Sequence, residues 1–165
     1  MLITASVLLT ATTTACSTNN GESAGSTSAG PSASCAVTLP NGVTVPGQIG
    51  SSPGQVASGD GMFGNGALSV ALQPNGRVVA KRDPHDGSIG IKFMWWRGVK
   101  GELQITGRRL DAQAKPARAD VPGGYGDQGF QASGIVFPTA GCWQVTGSVG
   151  ANNLTFVTEV IGTSS

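Results

Sequence analysis

The single histidine, His85, stands in the polar stretch 82–88 (RDPHDGS) between Asp83 and Asp86, where general-base, nucleophilic or metal chemistry could begin. The supply of partners is too thin for any of these. A zinc centre takes three or four ligands from Cys, His and carboxylates, and His85 with two neighbouring aspartates makes a poor set. A blue-copper centre needs two histidines and a thiolate, which a single histidine excludes. No strand-to-helix nucleophile elbow accompanies His85, as a Ser–His–Asp hydrolase would require. Only three glutamates occur, Glu22, Glu102 and Glu159, and no carboxylate pair stands out for glycoside hydrolysis. The expectation is a protein that is not an enzyme and takes no cofactor or metal, with a hydrolase of unrecognised site as the residual alternative.

The residues better suited to binding than to catalysis are Trp96 and Arg97, with Lys92, Lys100, Arg108 and Arg109 close by in sequence. An outward indole beside cations stacks on sugars or receives anions through charge-assisted hydrogen bonds. Tyr125, in the glycine-rich run 122–130 (PGGYGDQGF), adds a recognition loop. Charge points the same way. All ten Lys and Arg lie between Arg77 and Arg118 against four acids, a net +6, while the rest of the chain carries five acids and no base. Such asymmetry favours an anionic partner. A packing reading stands beside this one. In it Trp96 is covered by the 122–130 loop, Tyr125 plugs one end of the fold, and Arg108 or Arg109 pairs with Asp111.

The compartment is read from the N-terminal end. Residues 1–15 (MLITASVLLTATTTA) form a short apolar run with small residues before Cys16, the order expected of an export signal. With cysteine directly after the cut, the segment resembles the lipobox of bacterial lipoproteins, in which that cysteine is acylated. It departs from the family in having Thr13 at −3 and no Lys or Arg ahead of the apolar run. A plain signal peptide cut near Ala15 and a retained helix are the alternatives, and the run is shorter than the ~20 apolar residues that a spanning helix needs. Beyond Cys16, residues 17–34 of this 16–34 segment are Ser, Gly, Ala, Thr and Asn with one proline, Pro31, and one charge, Glu22. That composition predicts a disordered tether with a reach of roughly 23 Å. If Cys16 is lipidated, Cys35 and Cys142 remain to pair in an oxidising compartment. A bridge between them closes a long loop, worth about 4–5 kcal/mol in the chain-entropy picture.

The elements that would position these groups are strands. Charged residues make up only 12 % of the chain and glycine is abundant at 26 residues. Segments 67–72, 77–81, 89–96, 103–107, 131–137, 142–149 and 154–161 alternate or run apolar. In 89–96 (IGIKFMWW) the parity puts Ile89, Ile91, Phe93 and Trp95 inward and Lys92, Met94 and Trp96 outward. Asn75-Gly76 predicts a tight hairpin joining 67–72 to 77–81, and Leu110 falls out of phase with Leu103 and Ile105, which predicts a bulge near Gly107. Cys142 lies opposite Trp143 and Val145, so its bridge would staple the N-terminal segment to the outside or edge of a sheet. Residues 40–66 are too rich in Gly and Pro to assign a strand. Seven strands with one long connection over 111–129 predict an all-β, antiparallel Ig-like β-sandwich with a Greek key, spanning 35–165.

The stretches Trp95-Trp96-Arg97, GRRLD at 107–111 and GYGDQGFQASGIVFPTAGCWQVTG at 124–147, with CAVTLPNG at 35–42, resemble a set of uncharacterised bacterial lipoproteins and secreted proteins. The resemblance implies an envelope-located β domain without established activity and transfers no catalytic residue. The combined expectation is an extracytoplasmic domain, anchored to a membrane through a lipid on Cys16. Its partner would be an envelope polysaccharide, an anionic surface or a protein, and not nucleic acid. A structural or accessory envelope protein without a ligand is the alternative.

Overall fold

A chain in which helix formers rarely recur at helical spacing, and in which Val, Ile, Thr and aromatic residues alternate, forms strands because those side chains pack well on a pleated surface. The computed structural model describes residues 34–45 and 61–164. Signal segment 1–15, Cys16 and tether 16–34, apart from Ser34, lie outside the described residues. The described chain holds nine strands: β1 Met62–Gly64, β2 Leu68–Ala71, β3 Arg77–Lys81, β4 Ile89–Arg97, β5 Gln104–Arg109, β6 Arg118–Asp120, β7 Gly129–Phe137, β8 Gly141–Val149 and β9 Asn152–Thr163. They make a two-sheet, all-β sandwich. One sheet has the order β1-β2-β4-β7-β6, the other β3-β9-β8-β5.

Inward residues of both sheets share one core, which includes Leu68, Val70, Ile89, Phe93, Trp95, Ile135, Phe137, Trp143, Val145, Phe156 and Val160. One tight fit in it is between Trp95 of β4 and Gly147 of β8. A Cβ at position 147 would stand 2.5 Å from Trp95 Cη2 and 3.1 Å from Cε3, so only glycine leaves room for the indole. The same ring donates from Nε1 to Ser133 Oγ at 3.2 Å and tilts against Phe156 with centroids 6.0 Å apart.

Several expectations need correction. The turn at Gln73–Gly76 does not close a hairpin. Gly76 N donates to Gln73 O at 2.9 Å, and Gly76 is the only one of the four at positive φ. With Pro74 at its second position, this turn lacks the two positive-φ residues that a type I′ hairpin requires. The chain therefore leaves β2's sheet, and β3 joins the other one, parallel to β9. That pair is the exception to an otherwise antiparallel pairing. No bulge occurs near Gly107, since β5 pairs residue for residue with β8 from Gln104 to Arg109. Leu110 is exposed because it follows the strand's own alternation onto the outer face. Two strands of three residues, β1 within 40–66 and β6 within 111–129, were too short to produce a periodic signal.

The bridge between Cys35 and Cys142 is present, with the two Cα atoms 5.4 Å apart. Cys142 faces away from the core neighbours Trp143 and Val145 on β8, an interior strand of its sheet, so Cys35 is held on that sheet's outer face. From there the chain runs along the edge of β9 that β3 leaves free. Thr38 N donates to Val157 O at 2.8 Å, and Val157 N donates to Thr38 Oγ1 at 2.9 Å. It then reaches the opposite sheet, where Asn41 brackets Gly64 of β1, donating from Nδ2 to its carbonyl at 2.8 Å and accepting its N–H at 3.1 Å. The segment 35–45 thus straps one side of the sandwich.

Candidate functional site

Strand alternation and register divide the expected basic-aromatic cluster among four places. Lys92, Met94 and Trp96 share the outer face of β4, as their parity predicts. Lys92 is exposed, Met94 is 41 % exposed, and Trp96 is half-buried. The cover over Trp96 comes from Phe130, its register partner on β7. The two rings meet edge-on with centroids 4.9 Å apart.

Arg97 is not on that surface. It continues the inward parity of Trp95 and is 2 % exposed. Its guanidinium donates to Gly101 O at 2.7 Å, Gly126 O at 2.7 Å and Tyr125 O at 3.3 Å. No carboxylate among the described residues pairs with it. Carbonyl dipoles alone offset the burial of this charge, and in return the side chain clamps the 98–101 turn to the 122–128 loop. Gly101 N to Asp127 O at 3.1 Å and Gln128 Nε2 to Gly98 O at 2.6 Å reinforce the clamp. Tyr125 therefore belongs to a pinned loop, although its side chain is 42 % exposed.

Arg108 and Arg109 belong to the other sheet. Arg108 is exposed opposite Gln144, on the far face of the sandwich from Trp96. Arg109 is bound to Asp111, Nε to Oδ1 at 2.6 Å, and donates to Thr139 Oγ1 at 3.0 Å. This hydrogen bond from Arg109 holds the Asp111 carboxyl below the usual carboxylate range. The pair borders an open groove of about 500 Å³ with Leu110 and Pro116, which has no aromatic wall. Sequence neighbours at 92–97 and 108–109 are thus separated because β5 pairs with β8 and β4 with β7.

His85 is exposed in its loop. Asp83 Oδ1 accepts the His85 N–H at 2.8 Å, and Asp86 Oδ1 accepts that of Ser88 at 2.9 Å. The side-chain and backbone hydrogen bonds from Ser88 lower the Asp86 carboxyl. Among the described residues no group of three or more His, Cys, Asp or Glu could hold a metal ion.

Phe130, which covers Trp96, belongs to the 122–130 run that the packing reading placed over it; what the sequence did not single out is the rest of that face. On β7 the outward residues are Phe130, Ala132, Gly134 and Val136, and on β6 Asp120 lies opposite Gly134 and Arg118 opposite Val136. The signal was available in the alternation of 130–137, where one parity is Phe, Ala, Gly, Val and the other contains the buried Gln131, Ser133, Ile135 and Phe137. No protein-family model, curated protein or solved structure matches this chain.

Proposed function

We propose that the protein is an extracytoplasmic binding domain of a bacterial cell envelope, lipid-anchored through Cys16, with its ligand surface on the outer face of the β4–β7 sheet. The observation that carries this reading is the Trp96–Phe130 pair. These are two half-buried aromatic rings outside the core, beside an exposed Met94 and an exposed Lys92. Grouped apolar side chains of this kind on an outer sheet face mark interaction sites more often than scattered ones do. The Cys35–Cys142 bridge is compatible with a location outside the cytoplasm. The strand order β1-β2-β4-β7-β6 against β3-β9-β8-β5 also supports an Ig-like reading, since it follows the ABED and GFC arrangement of those domains with two extra strands, β1 beside β2 and β3 beside β9. Such scaffolds commonly serve recognition, an argument by analogy. The resemblance of the WWR, GRRLD and GCW stretches to envelope lipoproteins points the same way.

The purified protein should cosediment with isolated cell-wall sacculi or membranes, and Trp96→Ala should lose that binding while staying folded, its melting temperature a few degrees lower for the lost contact with Phe130. The salt dependence should be shallow, since Lys92 is the cation that shares the Trp96 face on β4. Absence of binding at low salt would favour the accessory role without a ligand. The burial of Arg97 and the pairing of Arg109 with Asp111, which remove two cations from the expected binding surface, favour that second reading.

A further inference from the structure

The glycines on this face are not needed by the fold. Gly90, the second residue of β4, and Gly134, in the interior of β7, lie within strands, where glycine is unfavourable, and neither has a positive φ. A Cβ on Gly90 would meet nothing within 4 Å, and one on Gly134 would meet only Asp120, at 3.8 Å. Contrast Gly147, whose smallness the core demands. Residues kept small without an internal reason leave space for something outside.

Their arrangement gives that space a shape. Ala132 and Gly134 floor a trough along β7. Lys92 and Met94 of β4 form one bank, and Asp120 and Arg118 of β6 form the other. Adjacent strands lie ~4.8 Å apart, so the banks stand about 10 Å from each other, and the small-residue floor from Ala132 to Gly134 runs about 7 Å between the Phe130 and Val136 side chains. The Trp96–Phe130 pair closes one end. Lys92 and Asp120 face each other across Gly134, and neither makes an ion pair among the described residues. Banks carrying both signs select against a polyanion or a polycation. A neutral polyhydroxyl chain satisfies both, accepting from Lys92 and donating to Asp120, while a ring stacks on Trp96.

Building on the binding reading above, we propose that this trough holds a single glycan strand lying along β7, with a sugar ring against Trp96 and hydroxyls bridging Lys92 and Asp120 over Gly134. The test fills the floor from outside, with Gly134→Val and Gly90→Val compared with Trp96→Ala. Binding to protein-free sacculi is measured with and without soluble glycan fragments cut from them as competitor. Both valine variants should melt at or above the wild-type temperature, because β-branched residues suit open strand positions. Gly134→Val should weaken binding by roughly tenfold or more, and the soluble fragments should compete with the wild type. Wild-type binding by both valine variants alongside loss in Trp96→Ala would overturn the trough and leave the aromatic surface standing. Wild-type binding by all three would overturn both. Failure of the fragments to compete, or a dimer that Gly134→Val converts to monomer, would assign the face to a peptide or to a second copy instead.

Discussion

Gly147→Ala should destabilise the protein through one contact. The added methyl would stand 2.5 Å from Trp95 Cη2, against the 3.5–4.0 Å of ordinary carbon contacts, so ring or strand must move by about 1 Å. The ring has no free direction. It is fully buried, tied to Ser133 at 3.2 Å and backed by Phe156. Overpacking of this kind costs about 1–3 kcal/mol, and the lower entropy of alanine in the unfolded chain returns about 0.4–1 kcal/mol. A net loss of about 1–2 kcal/mol follows, or a fall of roughly 4–8 °C in the melting temperature of a domain this size. Calorimetry on four proteins decides it: wild type, Gly147→Ala, Trp95→Phe and the double variant. Phenylalanine removes the ring atoms that collide, so the double variant should be more stable than the sum of the single losses by about 1 kcal/mol. Gly90→Ala, in open space, should be neutral or stabilising. Strict additivity, or a Gly147→Ala protein as stable as wild type, would refute the account.

Arg97→Met should free the 122–128 loop, because the carbonyls of Gly101, Tyr125 and Gly126 lose their donor at about 1–3 kcal/mol for each left unsatisfied. Hydrogen exchange should rise first in that loop, and Arg97→Lys should not restore protection, since an ammonium cannot span three separate carbonyls. Asp111 contributes stability above its unfolded pKa that is lost as pH falls through its lowered folded value. Asp111→Asn should therefore cost about 0.5 kcal/mol at neutral pH and progressively less in acid unfolding curves as the pH falls through that lowered value.

The β4 register was readable from sequence because alternation alone decides which side chain enters the core, and Trp95 in and Trp96 out follow from it. The same rule applied one residue further would have buried Arg97. Its charge argued for the surface, and two of the three carbonyls that satisfy it come from a loop 28 and 29 residues away. Turn chemistry at Gln73–Gly76 announced a change of direction but not which sheet receives the next strand. That choice depends on β9, more than 75 positions later. Arg108 looked like a neighbour of Trp96 for a similar reason: proximity in sequence carries no information on strand order. The trough was hidden because glycines in a strand look like weakness until the space around each is known.

The covalent link at Cys35 also decides how the molecule bears tension. A pull applied from the N-terminal side enters the fold at Cys35 and passes through sulfur directly to Cys142 at the head of β8. The neighbouring strand β9 carries the load on towards the C-terminal end. The strap and strands β1 to β7 lie inside the closed loop, whose ends are 107 positions apart, and stay out of the load path. Forced extension of the oxidised protein can pay out only the chain beyond Cys142. Reduction releases the rest, so a reducing agent acts on this molecule as a change in rope length.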